Sequence, residues 1–166
     1  PDLQLSVLDQ VHGASLKFVA CDTMNFWIQN KRASVEKVLG RVHAVFMNDG
    51  EARQLTGQVN LIKAAQMIHN MGPEYVIVKK GEHGSLLYSH EGVFLYPAYP
   101  LEVVHDPTGA GDSFAGGVLG YLAAALVAGM LGRRRGLFWT IVATVTAYLA
   151  ILGLGVVGLH FVKNVD

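Results

Sequence analysis

Residues 105–117 read His-Asp-Pro-Thr-Gly-Ala-Gly-Asp-Ser-Phe-Ala-Gly-Gly, and they hold the residue types best suited to chemistry. Gly109 and Gly111 flank the small Ala110 directly before a long apolar run. Side chains this small let the backbone N–H groups of Gly109, Ala110, Gly111 and Asp112 approach a ligand closely. The start of the following helix adds unpaired donors and a positive dipole end. Such a loop cradles an anion, most naturally a phosphate. Asp112 lies at the same helix start. It can be a plain N-cap. It can also be the base that takes a proton from an attacking hydroxyl, which is what phosphoryl transfer needs opposite a set of backbone donors. The loop alone leaves both readings open.

The elements ahead of this loop alternate strand and helix signals. Residues 16–21 form a short apolar run closed by Asp22. Ser34 reads as the N-cap of a helix over residues 35–42, with Glu36 in the first turn and Arg41 in the last. Residues 44–47 form a second strand, stopped by Asn48-Asp49-Gly50, and residues 51–55 make a helical turn ending at Gly57. Asn60 caps a helix whose apolar positions Leu61, Ile62, Ala65, Ile68 and Met71 recur at about 3.6 residues. Gly72-Pro73 ends it. Residues 75–78 read as a buried strand, and residues 85–88 and 93–96 as a hairpin. Short apolar strands alternating with helices predict an α/β fold with a mostly parallel sheet flanked by helices. Ligands of such sheets sit beyond the carboxyl ends of the strands. Three candidate sites fall there: residues 48–51, 79–85 and 106–112.

Composition bounds the function. The 166 residues suffice for about one domain, and a 51% hydrophobic content excludes disorder. Thirteen basic residues balance thirteen acidic ones, which argues against a nucleic-acid partner. The lone Cys21 excludes an intrachain disulfide framework and fits a reducing, cytoplasmic location. Residues 1–10 carry two aspartates and no basic segment, so no signal peptide is expected. The seven histidines (His12, His43, His69, His83, His90, His105, His160) show no metal-ligand spacing and read as structural or surface residues. Cys21, the methionines, Phe26 and Trp27 read as core.

The run DPTGAGDSFAGGVLGYLA at 106–123 resembles the C-terminal signature of the ribokinase-like (PfkB) carbohydrate kinases, D-[TP]-x-G-A-G-D. Two further segments agree in order and spacing. NDGEARQLTG contains N-x-x-E at Asn48 and Glu51, similar to the family's metal and phosphate motif. VIVKKGEHGSLLY resembles its nucleotide-binding strand, turn and strand, with Gly81 and Gly84. DTMNFW at 22–27 looks like the family's strand-end segment, and the resemblance covers about residues 14–123. It implies the C-terminal half of a Rossmann-like ribokinase fold and ATP-dependent phosphotransfer to a hydroxyl of a sugar, sugar phosphate or nucleoside. Asp112 would be the base, and Gly109, Ala110 and Gly111 the anion hole. Asn48 and Glu51 would organise Mg²⁺ and its waters. Lys79, Gly81 and Gly84 would lie along the ATP. Asp106 and Thr108 match positions that hold a monovalent cation, such as K⁺. Each has a plainer reading: Glu51 as a first-turn helix acid, the glycines as a tight connection, Lys79 and Lys80 as a solvated strand end.

Two departures qualify what the resemblance implies. Family members run to about twice this length, and the half that carries most substrate-recognition residues is not visible. Residues 1–132 are then the nucleotide-binding and catalytic half, and residues 133–166 an atypical apolar tail. Residues 136–162 carry no charged side chain, so 137–162 reads equally as a buried helix or a membrane-like segment flanked by Arg133–Arg135 and Lys163. Residues 114–131 are better read as a buried helix. A fragment, a fusion or a frame shift would account for both departures. The alternative function is a non-catalytic nucleotide- or phosphate-binding unit, tethered to a membrane through the tail. Expected partners are ATP and a small hydroxyl-bearing substrate, with self-association or a complementing chain left open.

Overall fold

β2 (Ala44–Asn48) and β3 (Tyr75–Lys79) are buried along all but their last residue. Unbroken apolar runs of this kind suit strands covered on both faces. The two pair in parallel, with Ala44 opposite Tyr75 and Asn48 opposite Lys79. β1 (Ala20–Asp22) joins β2, also in parallel, with Asp22 opposite Phe46. β4 (Ser85–Ser89) runs antiparallel to β3, with Ser85 opposite Lys79. β5 (Gly92–Tyr96) completes a five-stranded sheet of order β1-β2-β3-β4-β5. The α/β class expected from the sequence is the one observed. The computed structural model describes residues 1–11, 18–98, 100, 102 and 108–129.

Each parallel crossover carries two helices. α2 (Asn25–Asn30) and α3 (Arg32–Leu39) lead from β1 to β2, and α4 (Asp49–Thr56) and α5 (Leu61–His69) from β2 to β3. Asn60 caps α5 as expected, its side-chain oxygen accepting from the Ile62 and Lys63 amides at 3.0 and 3.1 Å. The first crossover departs from expectation. α2 forms where only a strand-end segment was anticipated, and α3 begins at Arg32 rather than after Ser34. The Ser34 amide already donates to the Lys31 carbonyl at 3.0 Å, so Ser34 sits inside the first turn. Lys31, at φ −141°, breaks the helical path between α2 and α3. That break lets both Ile28 and Val35 reach the core. α1 (Asp2–Gln10) precedes the sheet and is tied on by ion pairs from Asp2 to Lys31 and from Asp9 to Arg41. Exposed pairs of this kind contribute at most about 1 kcal/mol each.

Alternate residues of the central strands, Val45 and Met47, Val76 and Val78, join Leu86, Leu39, Leu55 and Ile68 in one cluster. α2 to α5 therefore pack on a common face of the sheet. The turn after α5 lies against the end of α3: a Cβ on Gly72 would stand 2.6 Å from Gly40 Cα, and φ there is +143°. Only glycine fits. Cys21 and Trp27 pack against this cluster, as expected. Phe26, by contrast, is 54% exposed, and Met24 and Met67 are exposed too, which corrects the core reading for all three. A short helix has one inward face, and Trp27 and Ile28 occupy it.

Contacts divide the chain into the units Pro1–Leu95 and Tyr96–Asp166. The second contains α6 (Ala110–Gly129), with Val118 and Leu122 buried. Among the described residues no helix is long and apolar enough to cross a membrane. The apolar segment 137–162 and the expected boundary at 132/133 lie outside the described residues, as do residues 16 and 17 of the strand expected over 16–21, of which Ala20 and Cys21 fall in β1.

Candidate active site

Each parallel strand ends on a polar side chain: Asp22 on β1, Asn48 on β2 and Lys79 on β3. In an open α/β sheet this edge is where ligands bind. Lys79 reaches over the end of β2, and its Nζ donates to Asp22 Oδ2 at 2.8 Å. The two side chains are 17% and 32% exposed, so Lys79 is not a solvated strand end. The other Asp22 oxygen, Oδ1, accepts from the Thr23 amide at 2.8 Å.

β2 runs directly into α4, and the junction closes on itself. Asn48 Oδ1 accepts from the Glu51 amide at 2.7 Å, and Glu51 Oε2 accepts from the Asn48 amide at 2.7 Å. This is a capping box built from the N-x-x-E spacing, so Glu51 is a first-turn helix acid in its geometry. It is also a buried carboxylate, only 5% exposed. Burial pushes its carboxyl above the usual range, the Asn48 amide pulls it down, nearby Asp22 raises it, and Lys79 and the Asn25 amide lower it. Asp22, Lys79, Glu51 and the start of α2 thus form one electrostatic cluster.

Sequence reasoning missed Asp22 and Asn25 as members of this cluster. The available signal was an acid closing a buried strand, three residues ahead of an asparagine. Beyond Lys79 the chain makes a tight 3₁₀ turn (Gly81–His83), with φ +56° at Gly81 and +88° at Gly84. Lys80 N donates to the Gly84 carbonyl at 2.7 Å. No atom lies within 4 Å of a Cβ built on Gly81, so conformation rather than space calls for glycine there. The turn alone is a sufficient reason for both glycines.

In the second unit Thr108 and Gly109 form a turn, with φ +75° at Gly109. The Gly109 carbonyl accepts from the Ser113 amide at 2.9 Å, the first helical bond of α6. Ala110, Gly111 and Asp112 therefore fill the first turn, whose N–H groups have no partner within the helix. Asp112 is the third helical residue, not the N-cap, because the helix starts three residues sooner than an N-cap at 112 requires. Its side chain is exposed. Asp106 lies outside the described residues, as do His12, His105 and His160.

The remaining candidates have structural partners. His43 Nδ1 accepts from the Val19 amide at 3.0 Å, and His69 Nδ1 lies 2.8 Å from the Pro73 carbonyl oxygen. Burial pushes the Cys21 thiol up to about 12, which leaves it protonated and inert. Among the described residues no group of three or more His, Cys, Asp and Glu side chains could hold a metal ion unaided.

The chain is 36% identical over 122 residues to a cytidine kinase of Thermococcus kodakarensis, an alignment covering 72% of this chain and 43% of that protein. It is 40% identical over 75 residues to an aminoimidazole riboside kinase of Salmonella typhimurium, covering 45% and 23%. The chain thus spans less than half the length of these curated relatives. Among solved structures, a fructokinase from Vibrio cholerae bound to fructose, ADP and calcium superposes with a TM-score of 0.71 at 22% identity, over 87% of this chain and 46% of that one. The Salmonella enterica aminoimidazole riboside kinase, complexed with its riboside and an ATP analog, gives a TM-score of 0.68 at 23% identity, over 88% and 48%. These likenesses establish the ribokinase-type fold. The model of the pfkB family carbohydrate kinases matches residues 4–133, from within α1 to beyond α6, and the chain belongs to that family.

Proposed function

We propose that the chain forms the nucleotide-binding and base-bearing half of a kinase. The reaction is transfer of the γ-phosphoryl group of ATP to a hydroxyl of a sugar, sugar phosphate or nucleoside. The observation that carries it is the turn at Thr108-Gly109 leading into α6 with Asp112 in its first turn. In this reading the Asp112 carboxylate takes the proton of the acceptor hydroxyl. The hydroxyl oxygen then bonds to the γ-phosphorus, the bond to the β,γ-bridging oxygen breaks, and ADP leaves. The amides of Gly109, Ala110 and Gly111 meet the charge on the transferred group.

Asn48 and Glu51, with Asp22 beside them, suit a hydrated Mg²⁺. The carboxylates are too few for an all-protein cage, which fits an ion that keeps its waters and binds phosphate oxygens. When bound, Mg²⁺ would supply charge neutralisation for the triphosphate. Gly81 and Gly84 would border the nucleotide, and Asp106 and Thr108 a monovalent cation. The relatives named for cytidine and aminoimidazole riboside favour a riboside as acceptor.

The test is transfer of labelled γ-phosphate from ATP to a panel of nucleosides and sugars, with Asp112→Asn as control. Turnover is expected to fall by about 10³-fold in D112N, with ADP affinity little changed. Wild-type turnover in that variant would remove Asp112 from the mechanism. A second reading is a non-catalytic nucleotide binder, because the capping box of Asn48 and Glu51 and the turn at Gly81–His83 each have a sufficient structural reason of their own. ATP binding without transfer to any acceptor would select it.

A further inference from the structure

Resemblance alone puts Lys79 along the nucleotide, yet its ammonium is already engaged. Nζ donates to Asp22 Oδ2 at 2.8 Å from a side chain only 17% exposed. The same charge acts on Glu51, while Asp22 acts on Glu51 with the opposite sign. We propose that Lys79 is a positioning residue: it holds the Asp22 carboxylate over the end of β2 and offsets the repulsion between Asp22 and Glu51, and it does not contact the nucleotide itself. This rests on the nucleotide-binding reading above.

Three features carry it. The strand order places β2 between the two partners, so the bridge spans the strand that delivers Asn48 and Glu51. The Thr23 amide pins Oδ1 of Asp22, so a single further bond from Lys79 fixes the whole carboxylate. Both partners are largely shielded from water, where charge pairs are screened less than on an open surface. Without Lys79 the site holds two like charges with no counterion of their own. Asp22 would turn toward solvent, and a cation–phosphate ligand would meet a misplaced carboxylate.

The experiment is calorimetry on the purified 166-residue chain, with ADP plus Mg²⁺ and with ADP plus EDTA, on wild type, K79M, D22N, K79M/D22N and K79R. Urea unfolding of the same set runs alongside. The expected result is an about tenfold loss of Mg²⁺–ADP affinity in K79M. The loss in the double variant should be no greater than in D22N alone, and K79R should recover most of it. Binding of ADP in EDTA should hardly change, whereas a lysine touching phosphate would weaken both titrations. An equal fold-loss from K79M in the wild-type and D22N backgrounds overturns the proposal. If the wild-type chain binds no nucleotide, the phosphotransfer reading fails by itself. The unfolding cycle then decides the bridge: non-additive losses support it and additive losses refute it.

Discussion

Glu51 separates two contributions that a single substitution usually confounds, the cap it closes and the charge it buries. In Glu51→Ala the Asn48 amide loses its acceptor and α4 loses half of its capping box. A cap contributes about 1 kcal/mol, and a part-buried unpaired N–H costs about 1–3 kcal/mol, so E51A should lose about 2–4 kcal/mol. Glu51→Gln keeps an acceptor oxygen at the same place and removes only the charge. Burial raises the carboxyl above its ordinary value, so the folded state prefers the protonated form. The stability this gives is present below the ordinary carboxylate pKa and is lost as pH rises through the raised one. At neutral pH the ionised Glu51 is therefore held at a cost. E51Q should match wild type at low pH and equal or exceed it at pH 7, where E51A remains destabilised. Urea unfolding in EDTA, followed by tryptophan fluorescence and circular dichroism across that pH range, reads all three chains. An E51Q chain as unstable as E51A at pH 7 would refute the reasoning, because the charge itself, paired with Lys79, would then be holding the site.

Gly72→Ala would push a Cβ to 2.6 Å from Gly40 Cα at a φ of +143°, and thermal melting should show a loss of about 3 kcal/mol or more. Melting within 1–2 °C of wild type would mean that the α3 and α5 ends part easily. Cys21, with its thiol raised to about 12, should react with a disulfide reagent at pH 8 about a hundredfold more slowly when folded than in urea. Equal rates would place the thiol in solvent.

Much of the fold was legible because its signals are local. Asn60 caps α5 through amides two and three residues on, and Gly57 ends α4 in a left-handed conformation. Neither depends on distant chain. β2 and β3 were legible because a strand buried on both faces cannot hide its apolar run. The first crossover was not legible. Ser34 is a plausible cap in isolation, but α3 starts at Arg32, where the kink at Lys31 brings Ile28 and Val35 to one core. That choice belongs to tertiary packing, and no window around Ser34 contains it.

The same contrast divides the candidate site. Asn48 and Glu51 announce themselves three residues apart, as does the glycine-rich entry to α6, because motif and geometry share one turn. Asp22 and Lys79 are separated by 57 positions and meet only because two crossovers lay β2 beside β1 and β3 beside β2, all in parallel. A lysine after a buried strand reads as solvated when seen alone. Over the end of β2 it faces two carboxylates and is mostly shielded from water. Motif reading therefore finds the groups that approach a ligand through backbone, and underestimates those that act by holding another side chain. The cluster of Asp22, Lys79 and Glu51 is of the second kind, which is why its chemistry has to be argued from the sheet rather than from spacing.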